Sequence, residues 1–209
     1  MHYPMQVPRL YPIIDLEVSL HPLEFLIGEF AAAGLPWVQL RDKKANSRQL
    51  FASARRVVEL AQRYGLTAIV NDRADIAWLS GADGVHVGQD DLPVEHAKRI
   101  VGLGKIVGHS THNLAQALEG ERSTADYLAI GPVFATTSKV NPDPIVTWAE
   151  LQEIRSQVKK PLVAIGGITS QNAGRLFDIG LDSVAVIRDL VSGPDIRAKI
   201  SQFLKAAGG

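Results

Sequence analysis

The chain of 209 residues contains no cysteine. This absence excludes disulfides, catalysis by a thiolate and zinc sites built from cysteine, and it agrees with a reducing compartment. Apolar runs that approach the ~20 residues of a membrane span are also missing. The N-terminus lacks the basic start and apolar centre of a signal peptide. We therefore expect a cytoplasmic protein without membrane partners, in which residues 1–8 form a short lead-in.

The sequence also lacks an excess of either charge, with 22 basic and 22 acidic side chains. Because nucleic-acid-binding proteins carry a strong basic excess, this class is not expected. A neutral chain can still concentrate cations in one pocket, so binding of small anionic molecules remains open. Composition leaves a homo-oligomer open as well.

What the sequence does contain is an alternation of short runs rich in Val, Ile and Leu with segments of helical spacing. Eight such runs, each followed by a helical segment, predict an α/β protein, namely a (β/α)8 TIM barrel forming a single domain over residues 9–209. An open, doubly wound sheet is the alternative. The predicted strands are Leu10–Ile14, Trp37–Leu40, Thr67–Val70, Gly84–Val87, Lys105–Val107, Tyr127–Ile130, Leu162–Ile165 and Ser183–Val186. The predicted helices include Gln49–Arg63, Leu114–Gly120, Thr147–Gln157 and Ser170–Ile179.

Polar clusters follow the second to fifth predicted strands. In a barrel the residues just after each strand meet at one end, where the active site lies. Strand alternation places Gln39, Arg41 and Lys43 on one face. An arginine can bind two phosphate oxygens at once, and a lysine adds a point charge. The alternative is that Arg41 and Lys43 are two surface cations at the entrance of a helix.

Two acids stand after the third and fourth strands, Asp72 and Asp91. Neighbouring strand ends lie close together, so both carboxylates can share Mg²⁺, which takes one or two carboxylates besides phosphate oxygens. The alternative for each acid is a helix N-cap. Ser110, after the fifth strand, can donate to a phosphate or cap a helix. His112 could transfer protons, and His86 is expected to be a hydrogen-bonded core histidine.

The later loops indicate a second anion site. Residues Thr136 to Lys139 combine hydroxyls with an ammonium in the loop after the sixth strand. Gly166 and Gly167 follow the seventh strand and Arg188 follows the eighth, where barrels of this type bind phosphate through backbone N–H groups. A diphosphate with Mg²⁺ beside a second phosphorylated ligand suggests a displacement that releases pyrophosphate. Residues 137–147 are expected to form a mobile loop.

The chain resembles the thiamine phosphate synthase family from about Leu10 to Leu204. The motifs that carry the resemblance are Gln39-Leu40-Arg41-Asp42-Lys43, Asn71-Asp72-Arg73, Gly84 to Asp91, Gly108 to His112, Gly131-Pro132-Val133-Phe134, Thr136 to Lys139 and Ala164 to Ile168. The resemblance implies a (β/α)8 enzyme, a transferase of thiamine biosynthesis. It would join hydroxymethylpyrimidine diphosphate to a thiazole phosphate. Pyrophosphate would leave first, and the thiazole nitrogen would capture the resulting pyrimidine-methyl cation.

The resemblance also implies roles for individual residues. The pyrimidine diphosphate would be held by Gln39, Arg41, Lys43, Asn71, Ser110 and Lys139, of which Arg41, Lys43, Ser110 and Lys139 would be catalytic. Mg²⁺ would be the cofactor, bound by Asp72 and Asp91. The thiazole phosphate would be held by Thr136, Ser138, Gly167, Ile187 and Arg188. The chain departs from the family pattern at position 188, usually serine, at Ser138, usually threonine, and at Thr147, near which a glycine is usual.

Three other functions remain open on sequence grounds. A thiazole tautomerase on the same fold would need a proton-transfer group such as His112 but no diphosphate site. A phosphosugar isomerase or epimerase barrel would use Gly167 for phosphate but not both acids and all the cations. A non-catalytic sensor of thiamine precursors would bind these ligands without turnover.

Overall fold

The computed structural model describes residues 5–136 and 143–208. Eight parallel strands pair in sequence order, and β8 pairs with β1 to close the barrel. The strands are β1 Leu10–Asp15, β2 Trp37–Arg41, β3 Thr67–Asn71, β4 Gly84–Val87, β5 Ile106–Thr111, β6 Tyr127–Ile130, β7 Leu162–Ile165 and β8 Ser183–Val186. The barrel prediction is confirmed, and the open sheet is excluded.

The predicted strands agree with the observed ones except at several ends. β1, β2 and β3 each run one residue further than expected, through Asp15, Arg41 and Asn71. The fifth strand was predicted to end at Val107, four residues too early, because Gly108 has low strand propensity and polar residues follow it. Ser110 therefore lies within β5 rather than after it, held by pairing with Ala129 of β6.

Helices follow the strands around the outside of the barrel. They are α1 Leu23–Ala32, α2 Ser47–Tyr64, α3 Ala74–Ser80, α4 Val94–Val101, α5 Leu114–Arg122, α6 Trp148–Gln157, α7 Gly174–Asp178, α8 Arg188–Val191 and α9 Ile196–Ala206. α7 is shorter than the helix predicted over Ser170–Ile179. Thr147 is the N-cap of α6 and accepts a hydrogen bond from the Glu150 N–H at 3.3 Å. No helix of the described ranges is long and apolar enough to cross a membrane.

Local sequence explains where the longest helix starts and stops. Asn46 accepts from the Gln49 backbone N–H while the Gln49 side chain accepts from the Asn46 N–H, which forms a capping box. Gly65 ends the helix in the left-handed conformation that glycine adopts without steric penalty. This short connection then leads directly into β3.

Two apolar clusters stabilise the barrel. The outer cluster fills the space between strands and helices, and its largest members include Phe30 and Phe203. The inner cluster lies within the barrel and is built around Tyr11, Trp37 and Tyr127. Side chains of alternate strand residues point inward, so the interior is filled and the site can form only at its open mouth.

Candidate active site

A cavity of about 770 Å³ opens at the carboxyl ends of the strands. It brings together every predicted site residue that the structure describes. These are Gln39, Arg41, Lys43, Asn71, Asp72, Asp91, Ser110, Thr136, Gly167, Ile187 and Arg188. Two other predicted residues, Ser138 and Lys139, lie outside the described residues, as does most of the expected 137–147 loop.

The second strand and the loop that follows it supply a graded series of polar side chains to the cavity, Gln39 and Arg41 from β2 and Lys43 from the loop. Gln39 is buried deep in the barrel, Arg41 is 14% exposed and Lys43 is 47% exposed. The series therefore runs from the interior to the solvent at the mouth. A ligand bound along this series would contact the Gln39 amide at its inner end and the two cations nearer the solvent.

Asp15, the last residue of β1, holds the guanidinium of Arg41. The two side chains form an ion pair, and the carboxylate is 2% exposed. The other carboxylate oxygen accepts from the Glu17 backbone N–H at 3.0 Å. Asp15 was not predicted as a site residue, because the predicted first strand stopped at Ile14. An acid immediately after a predicted barrel strand was the available signal.

The two acids predicted to bind metal lie side by side. The Asp72 carboxylate forms an ion pair with the Lys43 ammonium, with 2.5 Å between Oδ2 and Nζ. Asp91 accepts from the Gly88 N–H at 2.7 Å. Burial raises the pKa of Asp91 most, and the charge of Asp72 together with a hydrogen bond between the two side chains raises it further. Two adjoining carboxylates are thus held together at a mutual electrostatic cost.

Neither acid is a helix N-cap, which was the alternative interpretation. The N-caps of α3 and α4 are Arg73 and Pro93. Asp72 instead adopts φ of 66°, an uncommon backbone conformation for a residue other than glycine. Its geometry is therefore set by the loop, whose Asp72 N–H donates to the His86 carbonyl at 2.7 Å.

The residues present fit a hard dication. No group of three or more His, Cys, Asp or Glu suited to a metal occurs in residues 5–136 and 143–208, so a site made of protein ligands alone is not indicated there. Mg²⁺ commonly needs only one or two carboxylates when substrate phosphates complete its coordination. The adjoining carboxyls of Asp72 and Asp91 match this requirement, since a cation between them would relieve their repulsion.

Below the mouth, buried polar side chains form a continuous hydrogen-bonded chain. The Gln39 Nε2 donates to the Tyr11 hydroxyl at 2.9 Å, and the Tyr11 and Tyr127 hydroxyls are 3.2 Å apart. Tyr127 lies 2.9 Å from His86 Nδ1, and His86 Nε2 lies 2.8 Å from the Ser110 hydroxyl. The prediction of a hydrogen-bonded core histidine is confirmed. Both tyrosines were missed, since an aromatic residue in a buried strand is ordinarily part of the core.

Burial determines the ionisation of this chain. It lowers the pKa of His86 to about 4, an effect that Asp72 opposes and that His109 and Lys43 reinforce. Burial also raises the pKa of both Tyr11 and Tyr127. At neutral pH every member is therefore uncharged, and the chain transmits orientation rather than charge.

The opposite side of the mouth is built from backbone. Gly166 and Gly167 have φ of 100° and 62°, and a Cβ on Gly167 would stand 2.3 Å from the Ala135 carbonyl oxygen. The Phe134 N–H donates to the Gly166 carbonyl at 3.1 Å, which joins the loops after β6 and β7. Close backbone approach explains why this position needs glycine.

The start of α8, which directly follows β8, is held in place by Asp189, another residue that was not predicted as part of the site. Asp189 accepts from the Ser170 N–H at 3.1 Å and from the Lys199 ammonium at 3.3 Å. Arg188 is exposed at the start of α8, so its side chain can extend over the mouth without occupying the interior. Ile187 lies between the barrel and this arginine and packs against the inner cluster.

His112 lines the same cavity but is tied to the loop after β6. Its Nδ1 lies 2.6 Å from the Gly131 carbonyl oxygen, and its Nε2 lies 3.5 Å from Asp143. With Nδ1 bound to a carbonyl, the ring is held in one orientation. The ring therefore contacts both Gly131 and Asp143.

Comparisons with known proteins agree with this geometry. The model of a family described as thiamine monophosphate synthase matches residues 10–190. A thiamine-phosphate synthase of Koribacter versatilis is 46% identical over 206 residues, with 96% of each chain covered. Another, from Shouchella clausii, is 41% identical with 95% of each covered. The solved thiamine phosphate pyrophosphorylase of Pyrococcus furiosus superposes with a TM-score of 0.85 at 34% identity, covering 96% of this chain and 95% of that one. The chain therefore belongs to the thiamine monophosphate synthase family and is an enzyme of that class.

Proposed function

We propose that this enzyme condenses 4-amino-2-methyl-5-(diphosphooxymethyl)pyrimidine with thiazole phosphate, forming thiamine phosphate and releasing pyrophosphate. The observation that carries the proposal is the composition of one cavity. The pair Asp72 and Asp91, with Arg41 and Lys43 beside it, faces a glycine-built loop at Gly167 across the same mouth. One opening thus offers a diphosphate site and a separate monophosphate site.

The pyrimidine diphosphate would bind along β2 and its neighbours. Gln39 and Asn71 would contact the pyrimidine, while the cations Arg41, Lys43 and Lys139 would lie against the diphosphate. When the bond between the methylene carbon and the diphosphate oxygen breaks, both electrons pass to the leaving group. Preplaced cations stabilise that developing charge more in the transition state than in the ground state. Ser110 would add a hydroxyl donor.

Asp72 and Asp91 would hold Mg²⁺, which when bound would neutralise charge on the leaving diphosphate. Among the described residues, the Lys43 ammonium forms an ion pair with the Asp72 carboxylate. This single positive charge balances only one of the two carboxylates, so a divalent cation would also neutralise the other. We therefore propose Mg²⁺ as the cofactor.

The thiazole phosphate would bind across the mouth through Thr136, Ser138, the Gly167 backbone, Ile187 and Arg188. Fixing the phosphate there would hold the thiazole nitrogen close to the pyrimidine methylene. The nitrogen lone pair then forms the new C–N bond. Holding both reactants in one cavity converts the second step into a reaction between neighbours, which accounts for much of the expected rate gain.

Reconstitution tests the proposal. Purified protein, both substrates and Mg²⁺ should yield thiamine phosphate and pyrophosphate in equal amounts, and omission of either substrate should stop product formation. Absence of product at every Mg²⁺ concentration would contradict the proposal. Thiazole tautomerisation or sugar-phosphate turnover in parallel assays would indicate one of the other barrel functions, and tight binding without turnover would indicate a sensor. The expected cytoplasmic location and the lead-in over residues 1–8 stay predictions.

A further inference from the structure

The buried hydrogen-bonded chain beneath the mouth connects two of the proposed pyrimidine ligands. We call the three side chains between them, Tyr11, Tyr127 and His86, the interior relay. Its two ends are Gln39 on β2 and Ser110 on β5, and these two and the three relay side chains all line the inner part of the cavity. Packing alone does not require polar groups at these positions, since other members of the inner cluster, such as Ile69 and Val163, are aliphatic. We therefore expect a functional role for this hydrogen-bonded chain, whose two ends can contact a ligand.

The relay has a direction. A neutral imidazole has one donor and one acceptor nitrogen, and each hydroxyl has a single hydrogen to donate. The Gln39 Nε2 donates to Tyr11, so the Tyr11 hydrogen is free to point to Tyr127. Tyr127 then donates to His86 Nδ1, and His86 Nε2 donates to the Ser110 oxygen. In this order every hydrogen inside the relay has an acceptor.

The opposite order is unfavourable with the Gln39 amide in its present orientation. If Ser110 donated to His86 and each later group followed, the Tyr11 hydroxyl would receive hydrogens from both Tyr127 and Gln39. Its own hydrogen would then have no acceptor within the relay, in a side chain that is 1% exposed. Leaving a buried donor without a partner is unfavourable. Reversal of the relay therefore requires the Gln39 amide to turn over at the same time.

The direction fixes what each end presents to a ligand. Ser110 has received a hydrogen bond, so its own hydrogen is available to the cavity as a donor. At the other end, Gln39 Oε1 accepts no hydrogen bond from the described residues. It is also not one of the fully buried orphaned atoms of that part of the chain, which are His109 Nδ1 and Ser183 Oγ. Gln39 Oε1 therefore reaches the cavity as an acceptor.

We propose that the interior relay is a set of positioning residues that makes the cavity selective for a 4-aminopyrimidine over its 4-oxo counterpart. An amino group donates to Gln39 Oε1, whereas an oxo group would place two acceptors against each other. Accommodating the oxo ring would require the amide to turn and every hydrogen of the relay to reverse. The inference rests on the proposed function, because it names the ring chemistry that the diphosphate site accepts.

Tyr127→Phe tests the relay, because it removes the central hydroxyl and retains the ring. We would measure kcat/KM for the diphosphates of the 4-amino and 4-oxo pyrimidines, or the competitive inhibition constant of the oxo compound if it is not turned over. The wild type should favour the amino compound by roughly a hundredfold or more, as expected for a site whose buried polar groups match one ligand. The variant should lose at least roughly tenfold of this preference, since Gln39 can then turn alone.

Two controls separate positioning from stability. Trp37→Phe alters the same inner cluster, and Trp37 packs edge-on against both tyrosines without joining the hydrogen-bonded chain. It should lower the melting temperature and leave the amino-to-oxo preference unchanged. His86→Gln retains one donor and one acceptor and should keep more of the preference than His86→Leu. An unchanged preference in both Tyr127→Phe and His86→Leu would overturn the proposal.

A ligand-free readout keeps this test distinct from the reconstitution assay. Nitrogen NMR of the folded wild type, with the His86 signals assigned by their absence in His86→Gln, should show Nε2 protonated and Nδ1 unprotonated. A proton on Nδ1 would overturn the stated direction even if thiamine phosphate is formed. Failure to form thiamine phosphate would reject the proposed function while leaving the direction of the relay to be read from this spectrum.

Discussion

The two sides of the cavity mouth are built by different means. On the side of β1 to β4, the wall is formed by charged side chains: Arg41 pairs with Asp15, Lys43 pairs with Asp72, and Asp91 adjoins Asp72. On the side of β6 to β8, Gly166 and Gly167 bring backbone close to backbone, and the wall is formed by main-chain groups. The first side can respond to ionic conditions, whereas the second is defined by shape. Substitutions should therefore act on the two sides in distinguishable ways.

The largest expected effect lies on the charged side. Asp91→Asn should reduce kcat/KM by roughly a hundredfold, because a metal contribution of several kcal/mol to charge stabilisation depends on both acids. Its melting temperature at neutral pH should stay the same or rise, since the repulsion from Asp72 is removed. Steady-state rates across Mg²⁺ concentrations would measure the first effect, and calorimetry the second. Asp178→Asn, an exposed carboxylate on α7, provides the matched control.

The same acid predicts a pH dependence. The pKa of Asp91 is raised in the folded protein, so its ionised form lowers the stability of the fold above that pKa and the penalty disappears as the pH falls through it. Protons and Mg²⁺ then compete for one carboxylate. The Mg²⁺ concentration that gives half-maximal activity should increase as the pH is lowered towards the raised pKa. A half-maximal concentration independent of pH over that range would contradict a role for Asp91 in metal binding.

On the glycine side, we expect a smaller loss of catalytic efficiency than for Asp91→Asn but a larger loss of folding stability. Gly167→Ala would place a Cβ 2.3 Å from the Ala135 oxygen at a positive φ, so the loop must shift. We expect the KM for thiazole phosphate to increase roughly tenfold and stability to fall by about 1–3 kcal/mol. The KM for the pyrimidine diphosphate should change little. Gly193→Ala, where no atom lies within 4 Å of the added carbon, should change neither quantity.

A fourth variant tests the buried support of the charged side. Asp15→Asn leaves the Arg41 guanidinium without its carboxylate, and we expect a loss of about 2 kcal/mol in unfolding free energy. The KM for the pyrimidine diphosphate should rise several-fold, since the cation is no longer held in place. Glu29→Gln breaks the exposed pair with Arg197 and should have an effect below about 1 kcal/mol. Equal losses in the two variants would show that burial of Asp15 adds nothing.

The smallest effect is expected at position 188. Arg188→Ser introduces the residue that the resemblance leads us to expect at this position, and because Arg188 is exposed its electrostatic contribution is screened by solvent. We expect a roughly twofold to threefold increase in the KM for thiazole phosphate at low salt and a smaller increase at high salt. A decrease in KM would show instead that the arginine crowds the pocket.

How much of this could be predicted from the sequence depends on the kind of interaction. Barrel closure and the charged residues at strand ends were predictable, because strand and helix periods differ and parallel strands end together. The side chains that bind and orient these charged residues were not predictable. Asp15 stood one residue beyond a predicted strand, and Tyr11 and Tyr127 read as ordinary core aromatics. Pairing of distant side chains follows from barrel register, which single-sequence patterns do not specify.

Asp72 stands apart on the charged side, because it is the one residue other than glycine with a positive φ in the described ranges. Its main chain is held in a conformation that costs most side chains roughly 1 kcal/mol or more, and that Asn and Asp tolerate best. Substitution of Asp72 by alanine would therefore have two effects at once, because it removes the carboxylate and also introduces backbone strain. Asp72→Asn removes the charge in a residue that tolerates this backbone conformation, and Asp72→Gly removes the whole side chain without straining the loop.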